Sequence, residues 1–89
     1  MDASYDQVGD VLYVSKHPRP KAAWRSREES PGLVWRYDER GGLIGVTIMD
    51  FASYWDQRQP ELAEQIAVRF AMSLKEAETM LDAVPASST

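Results

Sequence analysis

The sequence predicts an α+β domain: a small four-stranded antiparallel β-meander with a C-terminal helix or helical pair packed on one face. Three observations predict it. Apolar and polar residues alternate in strand fashion as far as about Asp50. From Pro60 onward the apolar spacing becomes that of a helix. A chain of 89 residues has interior for one hydrophobic core and not for two. Residues 1–58 therefore form the sheet portion and 59–85 the helical segment of a single domain, with 86–89 a small, polar, disordered tail.

The elements follow in order. Val11-Leu12-Tyr13-Val14 is β-branched and aromatic, and Tyr5 with the turn-like Asp6-Gln7-Val8-Gly9-Asp10 precedes it, so the first sixteen residues read as a hairpin. Pro18 and Pro20 impose an extended break. Ala22 and Trp24 then alternate with Arg25 and Arg27, as in a strand with one solvated face, and Ser30-Pro31-Gly32 supplies a turn. Leu33, Trp35 and Tyr37 share one face of the next strand. Asp38-Glu39-Arg40-Gly41 suits a type I turn whose glycine takes the left-handed conformation and forms a bulge. Leu43 to Met49 is the most apolar strand and is expected to be central, with Gly45 admitting a bulky neighbour such as a tryptophan.

The helical segment has its own punctuation. Pro60 fits the first turn of a helix, where its missing N–H leaves no bond unmade, and Leu62, Ala63, Ile66, Ala67 and Phe70 form one stripe. Ser73 followed by Glu76 is a capping-box pattern that starts a second helix, with Leu74, Ala77, Met80, Leu81 and Val84 on its buried side. Pro85 ends it.

Composition bounds the function. Apolar residues at 44% and charged residues at 27% place the chain among folded domains and outside disordered ones. The lack of cysteine excludes disulfides, thiolate metal ligands and a cysteine nucleophile. Met1 to Gly9 has neither the basic start nor the apolar run of a secretory leader, and no apolar stretch approaches a membrane span, so a cytoplasmic, membrane-free protein is expected. Three tryptophans in so short a chain, with the open edges of a small sheet, lead us to expect self-association as a homodimer. The net charge of −4 disfavours general nucleic acid binding. That charge is uneven: Lys16, Arg19, Lys21, Arg25 and Arg27 cluster near the N-terminal third, and acidic residues dominate after Gln59.

Two segments carry a family resemblance. Tyr5 to Val14, with its tyrosine-aspartate and aspartate-hydrophobe-leucine-tyrosine pattern, and Tyr37 to Asp50, with a tyrosine-aspartate, a glycine turn and an apolar strand, resemble the bacterial family called domain of unknown function 2283. The likeness spans roughly residues 3 to 54 and departs from the family at Gly9, where alanine is common, and at Thr47, where an acid is common. It implies a small antiparallel sheet with no established activity. Some family members look like the smaller, antitoxin-like partner in toxin–antitoxin gene pairs. The helical segment lies outside it.

Candidate sites are few. His17 is the only histidine, and Lys16 to Lys21 offers it no convergent partners, so it reads as a loop residue. Asp6, Asp10, Asp38 and Asp50 recur at strand ends, where they can cluster as a carboxylate site or close turns through backbone N–H groups; turn closure is the commoner role. No nucleophile elbow or phosphate-cradling glycine run is present, so no enzyme, catalytic residue, metal or cofactor is expected. Phe51, Tyr54 and Trp55 read as core or hinge packing.

The expected function is a non-catalytic protein-interaction module. Its candidate contacts with a basic partner protein are Leu62, Ile66, Phe70, Leu74 and Leu81, rimmed by Glu61, Glu64, Glu76, Glu78 and Asp82, although the same stripe can equally cover the sheet. The alternative is a nucleic-acid-associated regulator in which Lys16, Lys21, Arg25 and Arg27 meet phosphates and Trp24 stacks on a base.

Overall fold

Why the strands sort as they do follows from which of them have apolar side chains to bury. A computed structural model describes residues 2–16 and 25–84. Five strands are present: β1 (Asp2–Asp6), β2 (Val11–Ser15), β3 (Arg25–Ser30), β4 (Leu33–Tyr37) and β5 (Leu43–Met49). They form one sheet in the order β1-β2-β5-β4-β3, with all neighbours antiparallel.

This corrects the expected four-stranded meander in two ways. The sheet has five strands and not four, since the hairpin expected in the first sixteen residues is present and contributes both Asp2–Asp6 and β2, paired from Asp2↔Ser15 to Asp6↔Val11. The other correction is that β2 pairs with β5 and not with β3. The reason lies in the side chains. Leu12 and Val14 of β2 and Leu33 and Trp35 of β4 need apolar neighbours on both sides, and β5 supplies them through Val46 and Ile48. The Arg-Ser-Arg-Glu-Glu-Ser sequence of β3 is exposed over most of its length and suits an edge, where charge discourages pairing with other chains. Ala22 and Trp24, expected in the same strand, lie outside the described residues.

The turns match their sequence signatures. Gly32 and Gly41 both take φ of +84°, a conformation that glycine adopts without penalty. At the β4–β5 turn the register slips by one residue, so Arg36 faces Gly45 while Tyr37 faces Leu43. Gly45 accommodates Arg36 and not the expected tryptophan: a Cβ there would lie 2.5 Å from Arg36 Nη2 and 2.6 Å from the Val14 carbonyl oxygen.

After β5 the chain turns at Asp50, with φ of +56°, into one turn of π-helix at Phe51–Trp55 and a 3-10 turn at Asp56–Arg58. Two helices follow, α1 (Gln59–Phe70) and α2 (Leu74–Asp82). Pro60 sits in the first turn of α1, and Ala71 in the left-handed conformation ends it by donating to the Ala67 and Val68 carbonyls. Ser73 caps α2 as its sequence predicts, its Oγ accepting the Glu76 N–H at 3.1 Å and donating to Glu76 Oε1. Leu62, Ile66, Phe70, Ala77 and Leu81 pack on the sheet face that carries Leu12, Val14, Leu33, Trp35, Val46 and Ile48, and Phe51 and Trp55 join the same core.

Candidate functional site

Three of the four strand-end aspartates, Asp6, Asp10 and Asp38, hold the fold through their carboxylates, whereas Asp50 turns the chain by its left-handed backbone with no side-chain cap bond. Asp6 Oδ1 accepts the Val8 and Gly9 N–H groups at 3.1 and 3.3 Å, and Asp38 Oδ1 accepts those of Arg40 and Gly42 at 2.9 and 2.8 Å. Asp10 does more. In the left-handed conformation at φ +56°, it accepts the Tyr5 hydroxyl and the Ala52 N–H, each at 2.7 Å. Its other oxygen takes both the N–H and the hydroxyl of Ser53, at 3.0 and 2.8 Å. It thereby joins the first hairpin to the π-helical turn that leads to the helices.

The electrostatics agree with this geometry. Partial desolvation alone would raise the Asp10 pKa, but the hydrogen bonds from Ala52, Tyr5 and Ser53 outweigh it and lower the value from 3.8 to about 2. The Tyr5 hydroxyl, by donating to Asp10 and losing part of its hydration beside the Asp10 and Asp6 charges, is pushed up to about 12. Among the described residues no three His, Cys, Asp or Glu side chains are grouped so as to hold a metal. His17 lies outside the described residues.

The helical stripe divides. Leu62 and Ile66 are fully buried, and Phe70 and Leu81 nearly so, within the core that covers the sheet. That placement removes four of the five expected contact residues from a partner's reach. Leu74, expected on the buried side of α2, is 45% exposed, because it falls at the margin of the stripe that Ala77, Leu81 and Val84 define. Val68, at 80%, is the most exposed apolar residue of the helical segment. A concavity of about 550 Å³ is lined by Met72, Ser73, Lys75, Glu76, Thr79, Met80 and Ala83. Met80, expected on the buried side of α2, and Met72 are half-buried against the core, and both also line this concavity.

Arg69 binds α1 to the β3–β4 hairpin. Its guanidinium pairs with Glu29, donates to the Tyr37 hydroxyl at 3.2 Å and lies 4.8 Å from the centre of the Trp35 ring. The pairing holds the Glu29 carboxyl below, and Arg69 above, its ordinary value. Tyr54, 48% exposed, is the one member of the Phe51, Tyr54 and Trp55 group outside the core, and Arg58 lies over its ring at 4.9 Å.

The basic segment is seen in part. Lys16 is exposed at the end of β2, its N–H bonded to the Ile44 carbonyl and its ammonium 6.0 Å from the Phe70 ring centre, while Lys21 lies outside the described residues. Arg25 and Arg27 project from β3 and line a concavity of about 390 Å³ with Tyr37, Asp38, Glu39, Arg40 and Gly41. The sequence places Tyr37 on a strand face and Arg40 in a turn, and assigns neither to a site. Counting back from the Ser30↔Leu33 pair would set Arg25 opposite Asp38, but the irregularity between Glu28 and Ser30 shifts the register by one residue and sets it opposite Tyr37.

The family model described as "Protein of unknown function (DUF2283)" matches residues 3–51, more than half of the chain. The matched part holds β2 to β5, all of β1 but Asp2, and the turns closed by Asp6 and Asp38, and it stops before α1. No curated protein and no solved structure matches the chain.

Proposed function

The chain belongs to the DUF2283 family of unknown function, and on that premise we propose that it is a non-catalytic protein-interaction module. The sheet acts as scaffold and the corner between α1 and α2 receives the partner. One observation carries this reading: the polar residues that define the family pattern, Tyr5, Asp6, Asp10 and Asp38, are engaged in closing turns, while Val68 and Leu74 present apolar side chains to solvent just outside the matched segment. The occupant we infer is a basic, partly apolar segment of another protein. Residues 59–84 carry Glu61, Glu64, Glu76, Glu78 and Asp82 against Lys75 and Arg69, and Arg69 is already paired with Glu29. Methionines such as Met72 and Met80 suit a surface that adapts to its ligand.

The narrower form of the proposal is an antitoxin-like role in the cytoplasm. A homodimer is part of the same proposal, supported by Tyr13 and Met49, 41% and 44% exposed on the sheet face away from the helices. The test is a Val68→Asp, Leu74→Asp double variant, which should keep its fold, since exposed substitutions change stability by only ~0.5 kcal/mol each. Capture of one basic protein from the native host should be lost in this variant and kept in a Tyr13→Ser control. Undiminished capture by the double variant refutes the assignment. The nucleic-acid reading has one observation in its favour, the exposure of Arg25 and Arg27 on an edge strand. Salt-sensitive retention of RNA, lost on charge reversal at both arginines, would bring it forward.

A further inference from the structure

Apart from the partner surface, we propose that the concavity between the β3 edge and the β4–β5 turn binds a small phosphorylated molecule, its phosphate held by Arg25, Arg27 and Arg40. The first support is convergence. The two segments are distant in sequence, and the pairing of Arg25 with Tyr37 brings the β3 arginines to the turn that carries Arg40. The second is sign. A molecule with a net charge of −4 gathers three arginines around one concavity, whose acidic lining residues among the described residues are Asp38 and Glu39. Guanidinium forks match the geometry of phosphate oxygens and hold them through charge-assisted hydrogen bonds.

Order and size add to this. Asp38 fixes the turn through the Arg40 and Gly42 N–H groups, and Tyr37 forms a wall held by Arg69. The volume of about 390 Å³ suits a metabolite-sized ligand. The same acids favour a phosphate monoester over a nucleic acid strand. Asp38 and Glu39 can accept hydrogen bonds from the hydroxyls of a sugar-like body, whereas successive phosphates of a strand running along β3 would meet Glu28 and Glu29.

Calorimetric titration of the full chain with ribose 5-phosphate, at low ionic strength, tests the site. Saturable binding is expected, with none for ribose. Arg40→Gln and Arg27→Gln should each weaken it about tenfold, the scale of one charge-assisted contact. Arg58→Gln, which removes the same charge outside the concavity, should leave it unchanged. Absence of saturable binding at millimolar ligand overturns the proposal, as does equal weakening by Arg58→Gln. Displacement of ribose 5-phosphate by far lower concentrations of a short single-stranded oligonucleotide, with steep salt dependence, would also overturn it and assign the arginines to nucleic acid.

Discussion

Replacing Asp10 removes the acceptor on which β1 and the π-helical turn converge, and the cost can be worked from its contacts. Asp10→Ala leaves the Tyr5 hydroxyl, the Ala52 N–H and both Ser53 donors without their carboxylate. Ser53 is exposed and water replaces its lost bonds, so the cost falls on Tyr5 and Ala52, at ~1.5 kcal/mol each. An alanine in the left-handed conformation adds ~1 kcal/mol. The sum, ~4 kcal/mol, is large against the roughly 4–13 kcal/mol expected for a chain of this length. A drop in Tm of more than about 15 °C should follow.

Asp10→Asn keeps the shape and loses the charge, which makes pH the sharper probe. The lowering from 3.8 to about 2 corresponds at face value to ~2 kcal/mol, and solvent screening reduces that to ~1 kcal/mol. Since the folded carboxyl titrates below its unfolded value, this contribution is complete above about pH 4 and is lost as pH falls through about 2. Thermal melts of parent and Asp10→Asn should therefore differ by a constant amount near neutrality and converge in acid. A gap that is absent at pH 7, or that persists unchanged at the acid end, refutes the reasoning.

Three further outcomes are expected. Gly45→Ala should lose ~1–3 kcal/mol in chemical denaturation, because the Val14 carbonyl oxygen belongs to a neighbouring strand and cannot swing aside; a loss under ~0.5 kcal/mol would contradict the close approach. A chain ending at Arg58 should show the collapsed amide dispersion of an unfolded protein, since it exposes Trp35 and Leu12, and a well-dispersed spectrum would show that the sheet does not need its helices. Glu29→Gln should cost less than Arg69→Ala in thermal melts, because the latter removes the stacking on Trp35 as well as the ion pair; the reverse order would show that the ion pair dominates.

Local signals were legible in the sequence wherever one residue type had one physical use. Leu33 and Trp35 alternate with solvent-side neighbours, Gly41 occupies the turn position that needs positive φ, and Ser73 with Glu76 marks the start of α2. Strand order was not legible, since β2 and β3 are consecutive and only the comparison of their apolar content with that of β5 separates them. The π-helical turn at Phe51–Trp55 has no periodic signature, and its anchor, Asp10, lies 42 residues from Ala52. At the candidate sites, the tail stripe was visible but its use was not, because covering a sheet and docking a partner demand the same spacing. Arg40 was read only as turn chemistry, and its company with Arg25 and Arg27 depends on a register that the irregularity near Glu29 conceals.

The pairing of β2 with β5 also bears on how the chain emerges during synthesis. The β1–β2 hairpin is complete by Ser15, yet the strand that covers its inner edge begins only at Leu43. At ribosomal speeds the intervening residues take roughly one to five seconds to make. For that interval Leu12 and Val14 present an uncovered apolar ribbon with free backbone donors and acceptors, whereas β3, β4 and β5 can zip together as soon as each is released. The newborn N-terminal hairpin is thus the part of this protein most open to aggregation or to a chaperone, and the burial of the finished fold conceals that exposure.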